Sequence, residues 1–287
     1  MKQLAFIGIG VMGKCMVQNL SNAGYTIHIY TRTKEKVIDI IDETIIWHDS
    51  IASCVREADI IMTMVGFPKD VEDVYMKEQG IINMSKKDAI LIDFTTSSPT
   101  LAKTLYQCAK EQGKHSLDCP VSGGDIGAKN ATLSIMVGGD EDIYLQILPI
   151  LHVVGKTIHY TGPAGFGQHT KMTNQIALAG AISGVCEAIT YAKAVGLDVE
   201  TMLQCISQGA AGSWQMENMA PKMLNQQFDP GFYIKHYIKD MTIAKKQVDE
   251  KNVNLKILDN VLFMYKTLEE NGLGDLGTQA LIKYYEQ

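Results

Sequence analysis

The sequence predicts an α/β fold: a Rossmann-like, doubly wound parallel sheet followed by an all-helical half. Three observations carry that expectation. Up to about residue 160, short apolar runs alternate with helical stretches, the grammar of right-handed βαβ units. From about residue 165 no convincing strand appears, and Gly, Ala and Met recur at helical spacing. Between the halves, "YTGPAGFG" (160–167) combines a proline with three glycines, which breaks whatever precedes it. The expected division is an α/β domain over residues 1–162 and a helical domain over 163–287.

The elements follow in order. "LAFIG" (4–8), "TIHIYT" (26–31), "ADIIMTMV" (58–65), "AILIDFT" (89–95) and "HSLDCP" (115–120) read as buried strands, with "LSIMVGG" (133–139) and "TIHYTG" (157–162) as later ones. Helical patterns such as 12–23 and 99–112 lie between them.

Composition narrows the function. A chain of 287 residues, 46% hydrophobic and 20% charged, can bury a substantial core. A net charge of −6 without a basic cluster argues against an obligate nucleic-acid partner. The six cysteines are scattered, with neither CxxC pairs nor nearby histidine clusters, so no metal site or disulfide framework is expected. The first apolar run is too short to span a membrane, and reduced thiols suit a cytoplasmic protein.

"GIGVMG" is a GxGxxG directly after a buried strand and opening a helix. Gly8 permits the tight turn, Gly10 lets the backbone approach a pyrophosphate, and Gly13 allows close helix packing. Ile9, Val11 and Met12 complete the loop, and the helix N-terminus supplies N–H groups to the anion. At the end of the second strand an NAD site places a carboxylate for the ribose hydroxyls. Here stand Thr31, Arg32 and Thr33, with Lys36 nearby. A guanidinium with neighbouring donors suits a 2′-phosphate, so NADP(H) is the expected cofactor and NAD(H) the second choice.

Two further stretches carry chemistry. In "DCPVSGGDIGAKNATLSIMVGG" (118–139), Ser122, Gly123 and Gly124 can leave backbone N–H groups open to a small carboxylate, though an ordinary turn reads the same way. In "GFGQHTKMTNQIALAG" (165–180), Lys171, Asn174 and Gln175 share one helical face among small and apolar residues. Their alternative is a solvated stripe.

Taken together, "GIGVMG", "DCPVSGGDIGAKNATLSIMVGG", "GPAGFGQHTKMTNQ" and "KDMTIA" (239–244) resemble, in order and spacing, the β-hydroxyacid dehydrogenase family over essentially the whole chain. The branch it looks like contains 3-hydroxyisobutyrate dehydrogenases and the reductases of tartronate semialdehyde, succinic semialdehyde and glyoxylate. The resemblance implies Lys171 as catalytic acid/base, Ser122, Gly123 and Gly124 as the carboxylate site, and Asn174 as the amide that orients substrate. It also implies that Lys239 reaches toward cofactor and substrate, that Thr96 lies beside the nicotinamide, and that Met64 and Val65 belong to a loop over the cofactor riboses. Two departures stand out. Ala131 replaces the usual glycine of a Gly-Thr-Leu, which costs little unless the backbone there needs a positive φ. Gln175 replaces a second asparagine, which leaves open which amide meets the substrate.

Hydride transfer from an alcohol requires removal of its hydroxyl proton, and the reverse reaction requires delivery of one. A lysine serves both if its pKa is lowered by burial and a neighbouring positive charge. Trp214 is expected either in the core or against substrate, and His236 in a structural hydrogen bond. Lys235, His236 and Lys239 are expected on one helical face. The Met-rich and Ala-rich helices suit a homo-oligomer, a dimer or tetramer. The competing readings are an imine reductase, disfavoured by the lysine, and a dinucleotide-binding pseudoenzyme serving as an interaction module.

Overall fold

The computed structural model describes residues 2–286 and divides into two compact units, Met1–Lys171 and Met172–Gln287. In the first, the described residues form one sheet of nine strands. These are β1 (Leu4–Ile7), β2 (Ile27–Tyr30), β3 (Ile45–Trp47), β4 (Ile60–Thr63), β5 (Ile90–Asp93), β6 (His115–Asp118), β7 (Val121–Ser122), β8 (Leu133–Gly138) and β9 (Gly155–Gly162). The order is β3-β2-β1-β4-β5-β6-β8-β7, with β9 beside β8.

The run from β3 to β6 is parallel. Strand β8 then runs antiparallel to β6 and β7, and β9 parallel to β8. The sheet is therefore parallel in its nucleotide-binding half and mixed beyond it, a refinement of the all-parallel expectation. β3 and β7, three and two residues long, are too short to show a period in the sequence.

Both faces are covered, because alternate strand residues serve two cores. Leu4 and Phe6 pack with Met16, Val17 and Leu20 of α1 (Val11–Asn22), and with Ile143, Ile147 and Leu151 of α7 (Glu141–Val154). Ala5 and Ile7 face the other way. Their partners come from α2 (Ile51–Val55), α3 (Pro68–Met76), α4 (Ile81–Met84) and α5 (Pro99–Glu111), including Val55, Val71, Tyr75, Ile81 and Leu105. Helix α6 (Gly124–Lys129) sits between β7 and β8. The order reverses between β2-β1 and β4-β5, and such a switch point opens a crevice at the carboxyl ends of the strands.

Helix α8 (Phe166–Ala194) runs on into the second unit. It is long and apolar enough to cross a membrane. Ala179, Ile182, Val185, Cys186 and Ile189 are nevertheless buried in the helical core with Tyr237, Met241, Leu258 and Tyr265. That core also draws on α9 (Val199–Ile206), α10 (Trp214–Asn218), α11 (Ala220–Leu224), α12 (Ile234–Glu250) and α13 (Lys256–Leu268). The first turns of α8 hydrogen-bond to β6 and to the segment after β5 and so pack with the first unit, which runs to Lys171.

Candidate functional site

The glycine turn after β1 is forced into place by its neighbours. Gly8 has φ +94°, and a Cβ there would lie 2.3 Å from the Met64 carbonyl oxygen at the end of β4. A Cβ on Gly13 would lie 2.1 Å from the Gly8 carbonyl oxygen, so α1 sits directly on the turn. Gly10 is the N-cap of α1, has no side-chain cap, and has no neighbour within 4 Å of a notional Cβ. The N–H groups of Val11, Met12 and Gly13 have no acceptor within the helix, and the approach past Gly10 is open. Ile9 is buried and Val11 exposed. This cradle fits a pyrophosphate.

The ends of the neighbouring strands complete the crevice. The Met64 N–H donates to the Ile7 carbonyl at 3.0 Å, and the Val65 N–H to Thr95 Oγ1 at 3.0 Å. After β2, Thr31 is half-buried, while Arg32, Thr33 and Lys36 are exposed. The Arg32 guanidinium, 84% exposed, lies 3.6 Å from Asp70 Oδ1. Asp70 also caps α3 by accepting from the Phe67 N–H at 3.1 Å. Thr96 is half-buried just beyond β5.

Beyond β6, Ser122 closes β7, and Gly123 and Gly124 follow with φ +129° and +63°. Both conformations lie where side chains are rarely tolerated, so glycine is required at each. At Ala131, after α6, φ is +55°. The backbone there does need the left-handed region, so the alanine that replaces the family's glycine is strained. The condition under which this replacement carries a cost is therefore met.

At the start of α8, Asp118 is 5% exposed. Its carboxylate accepts from the Gly165 N–H at 2.7 Å and the Gln168 N–H at 2.8 Å. Burial pushes its pKa up to about 6, against the lowering effect of these two bonds. Gln168, fully buried, accepts from the Ser97 N–H at 2.9 Å and donates to the Thr95 carbonyl at 2.8 Å. One turn later Lys171, 7% exposed, donates from Nζ to the Val121 carbonyl at 2.8 Å. The residue that accepts this bond immediately precedes Ser122. A solvated stripe does not describe such a lysine.

In the helical unit, Asn174 Nδ2 donates to Gln175 Oε1 at 2.8 Å, and Gln175 Nε2 donates to Asp240 Oδ2 at 2.5 Å. Gln175 is 1% exposed, and both ends of its amide are engaged. Asn174 is half-buried. The Lys239 ammonium stands 3.0 Å from Asp240 Oδ1 as an ion pair without hydrogen-bond alignment. Tyr237 Oη donates to the Gln175 carbonyl at 2.9 Å, fixing α12 against α8.

The other singled-out residues resolve as follows. Trp214 is 60% exposed, so it does not belong to the core. His236 packs edge-on to Tyr233, and burial, then the Lys239 charge, lowers its pKa. Lys235 pairs with Asp275. Among the described residues no three His, Cys, Asp or Glu side chains converge as metal ligands. Asp118, Gln168 and Asp240 were not singled out from the sequence. Each lies inside a quoted motif, but its burial shows only in the fold.

The chain resembles known proteins over its whole length. Residues 3–162 match the family described as the NAD binding domain of 6-phosphogluconate dehydrogenase. Residues 165–285 match that described as NAD-binding of NADP-dependent 3-hydroxyisobutyrate dehydrogenase. An uncharacterized oxidoreductase of Bacillus subtilis, YkwC, is 48% identical over 99% of both chains. The 2-hydroxy-3-oxopropionate reductase of Escherichia coli is 34% identical over 99% of this chain and 97% of its own. The solved 3-hydroxyisobutyrate dehydrogenase of Mycobacterium tuberculosis with L-serine superposes with a TM-score of 0.92 at 28% identity, covering all of both chains. The chain belongs to the β-hydroxyacid dehydrogenase family, as an NAD(P)-dependent enzyme of the 3-hydroxyisobutyrate dehydrogenase type.

Proposed function

We propose that this enzyme interconverts a small 3-hydroxy acid and its semialdehyde with NADP(H), using Lys171 as general acid and base. The observation that carries the reading is the buried Lys171, held on the Val121 carbonyl beside Ser122 and the two positive-φ glycines. Gly8 to Gly13 hold the pyrophosphate, and Met64, Val65 and Thr96 border the ribose and nicotinamide. Arg32, with Thr31, Thr33 and Lys36, takes the 2′-phosphate, which supports NADP(H) over NAD(H). The cofactor, when bound, supplies or accepts hydride at C4 of its nicotinamide.

The residues do the rest. Ser122 and the N–H groups of Gly123 and Gly124 hold the substrate carboxylate. Lys171 takes the hydroxyl proton in oxidation and, as ammonium, returns one to the carbonyl oxygen in reduction. Asn174 is the amide that meets substrate, and Gln175, committed to Asn174 and Asp240, orients it. Lys239 adds a positive charge for the anionic substrate. All six cysteines are free thiols, which suits a cytoplasmic setting. Exposed apolar side chains on the helical unit, among them Tyr191, Val195, Ile257 and Phe263, support assembly with further copies of the chain.

The test is a kcat/KM panel. NADPH oxidation is followed with tartronate semialdehyde, succinic semialdehyde and glyoxylate, and NADP+ reduction with 3-hydroxyisobutyrate and L-serine. Butanal is the uncharged partner of succinic semialdehyde and should react far more slowly, since each lost charge-assisted hydrogen bond costs about 1.5–3 kcal/mol. Comparable kcat/KM for that pair would remove the carboxylate site and make the enzyme a general aldehyde reductase.

A further inference from the structure

The first turn of α8 is fixed on three sides. Asp118 caps it through the Gly165 and Gln168 N–H groups. A Cβ on Gly167 would lie 2.4 Å from the Asp118 carbonyl oxygen and 2.5 Å from that of Met136, so the helix start rests on the backbone of β6 and β8. The third side is the Gln168 side chain, whose amide spans from α8 to the segment after β5. It donates to Thr95 O and accepts from Ser97 N, one residue on either side of Thr96. Unlike the cap, this contact joins two parts of the chain with separate catalytic assignments: the segment carrying Thr96 and the helical turn carrying Lys171.

We infer that Gln168 is a positioning residue for hydride transfer, fixing the Thr96 segment, and with it the nicotinamide end of the crevice, relative to Lys171. The inference rests on the assignment of Lys171 and Thr96 proposed above. The amide is suited to the task because it must donate at one end and accept at the other. An apolar side chain leaves both backbone groups unpaired, and a carboxylate satisfies only Ser97 N–H unless it is protonated. Small errors of position are expensive in such a site: a displacement of about 1 Å can cost on the order of 10²-fold in rate.

The test uses Gln168→Met and Gln168→Glu in the full-length enzyme. For Gln168→Met we expect kcat to fall roughly 10- to 100-fold. The Kd for NADPH should stay within about three-fold, since the pyrophosphate and 2′-phosphate contacts are untouched, and the primary deuterium isotope effect with 4-deuterated NADPH should rise. Gln168→Glu should recover kcat relative to wild type as pH falls from about 8 to about 6, because a buried carboxyl then holds its proton and donates to Thr95 O. Wild-type kcat and isotope effect in folded Gln168→Met, with only thermal stability lost, would overturn the inference. If Gln168→Met fails to fold, a flat ratio of Gln168→Glu to wild-type kcat across that pH range overturns it instead. Lys171→Ala, run alongside, separates the two ideas: an active Lys171→Ala defeats the underlying assignment, whereas an inactive one with unaffected Gln168 variants defeats the inference alone.

Discussion

Lys171 Nζ donates to the carbonyl oxygen of Val121 across 2.8 Å, which ties the proposed acid/base to the residue just before the Ser122-Gly123-Gly124 turn. Removing that amine should leave cofactor binding intact, because the glycine cradle after β1 is elsewhere along the sheet edge. We expect Lys171→Ala to lose on the order of 10²–10⁴ in kcat with the NADPH Kd unchanged by fluorescence titration. Near wild-type turnover would return Lys171 to a packing role.

The cofactor preference is expected to follow Arg32. Its guanidinium is exposed and only loosely paired with Asp70, so it is available to an arriving phosphate. Replacing Arg32 with Gln removes a charge-assisted hydrogen bond, about 1.5–3 kcal/mol or roughly 10- to 160-fold in NADP+ affinity. Adding Thr31→Asp should reverse the preference by repelling the phosphate. Equal kcat/KM for NADH and NADPH in the unmodified enzyme would demote Arg32 to a surface cation.

Much of this was legible because it is local. The strands after which Gly8, Met64 and Thr96 fall are continuous apolar runs, and GxGxxG, SGG and the Lys171 helix face are contiguous in sequence. What escaped depends on pairs far apart in the chain. Gln168 bonds to residues 71 and 73 positions away, and Asp118 caps a helix about 50 positions on, so neither looks different from an ordinary polar side chain until the fold is closed. The reversal of β8 was hidden for a similar reason: direction is set by which strand it joins, and its own alternation is the same either way. The state of Gln175 followed only from Asp240, 65 positions distant.

Asp118 should leave a signature in the pH dependence of stability. Its folded pKa, raised to about 6 by burial, exceeds the unfolded value of about 3.9. Between those values the native state binds the extra proton, so this group's contribution to stability is present below about pH 4 and lost as pH rises through about 6. The full span corresponds to roughly 3 kcal/mol. Other carboxylates, such as the exposed Asp39 and the half-buried Asp59, are held low by lysines and act in the opposite sense, so the measurement is a difference. The urea unfolding free energy of wild type minus that of Asp118→Asn should decline from about pH 4 to about pH 7. A constant difference would show that Asp118 is ionised throughout.

The turn after α6 offers a stabilising change. Asn130 is the C-cap of α6, and Thr132 N–H bonds back to the Gly127 carbonyl at 2.9 Å, the 6→1 bond of a Schellman motif. Ala131 therefore occupies the position that motif usually gives to glycine, and its φ of +55° meets the demand. Among the described residues, the other non-glycine residues of positive φ are Asp88, Gln226 and Asn252; Asp and Asn have short polar side chains that tolerate this region, whereas alanine has no such compensation. An L-residue there costs roughly 1–2 kcal/mol, and glycine returns about 0.4–1 kcal/mol of that through greater freedom in the unfolded chain. Ala131→Gly should thus raise the unfolding free energy, by up to about 1.6 kcal/mol. Steady-state kinetics should accompany the melting curve, with kcat/KM expected unchanged. A loss of stability in Ala131→Gly would mean that the alanine methyl makes packing contacts worth more than the strain it carries.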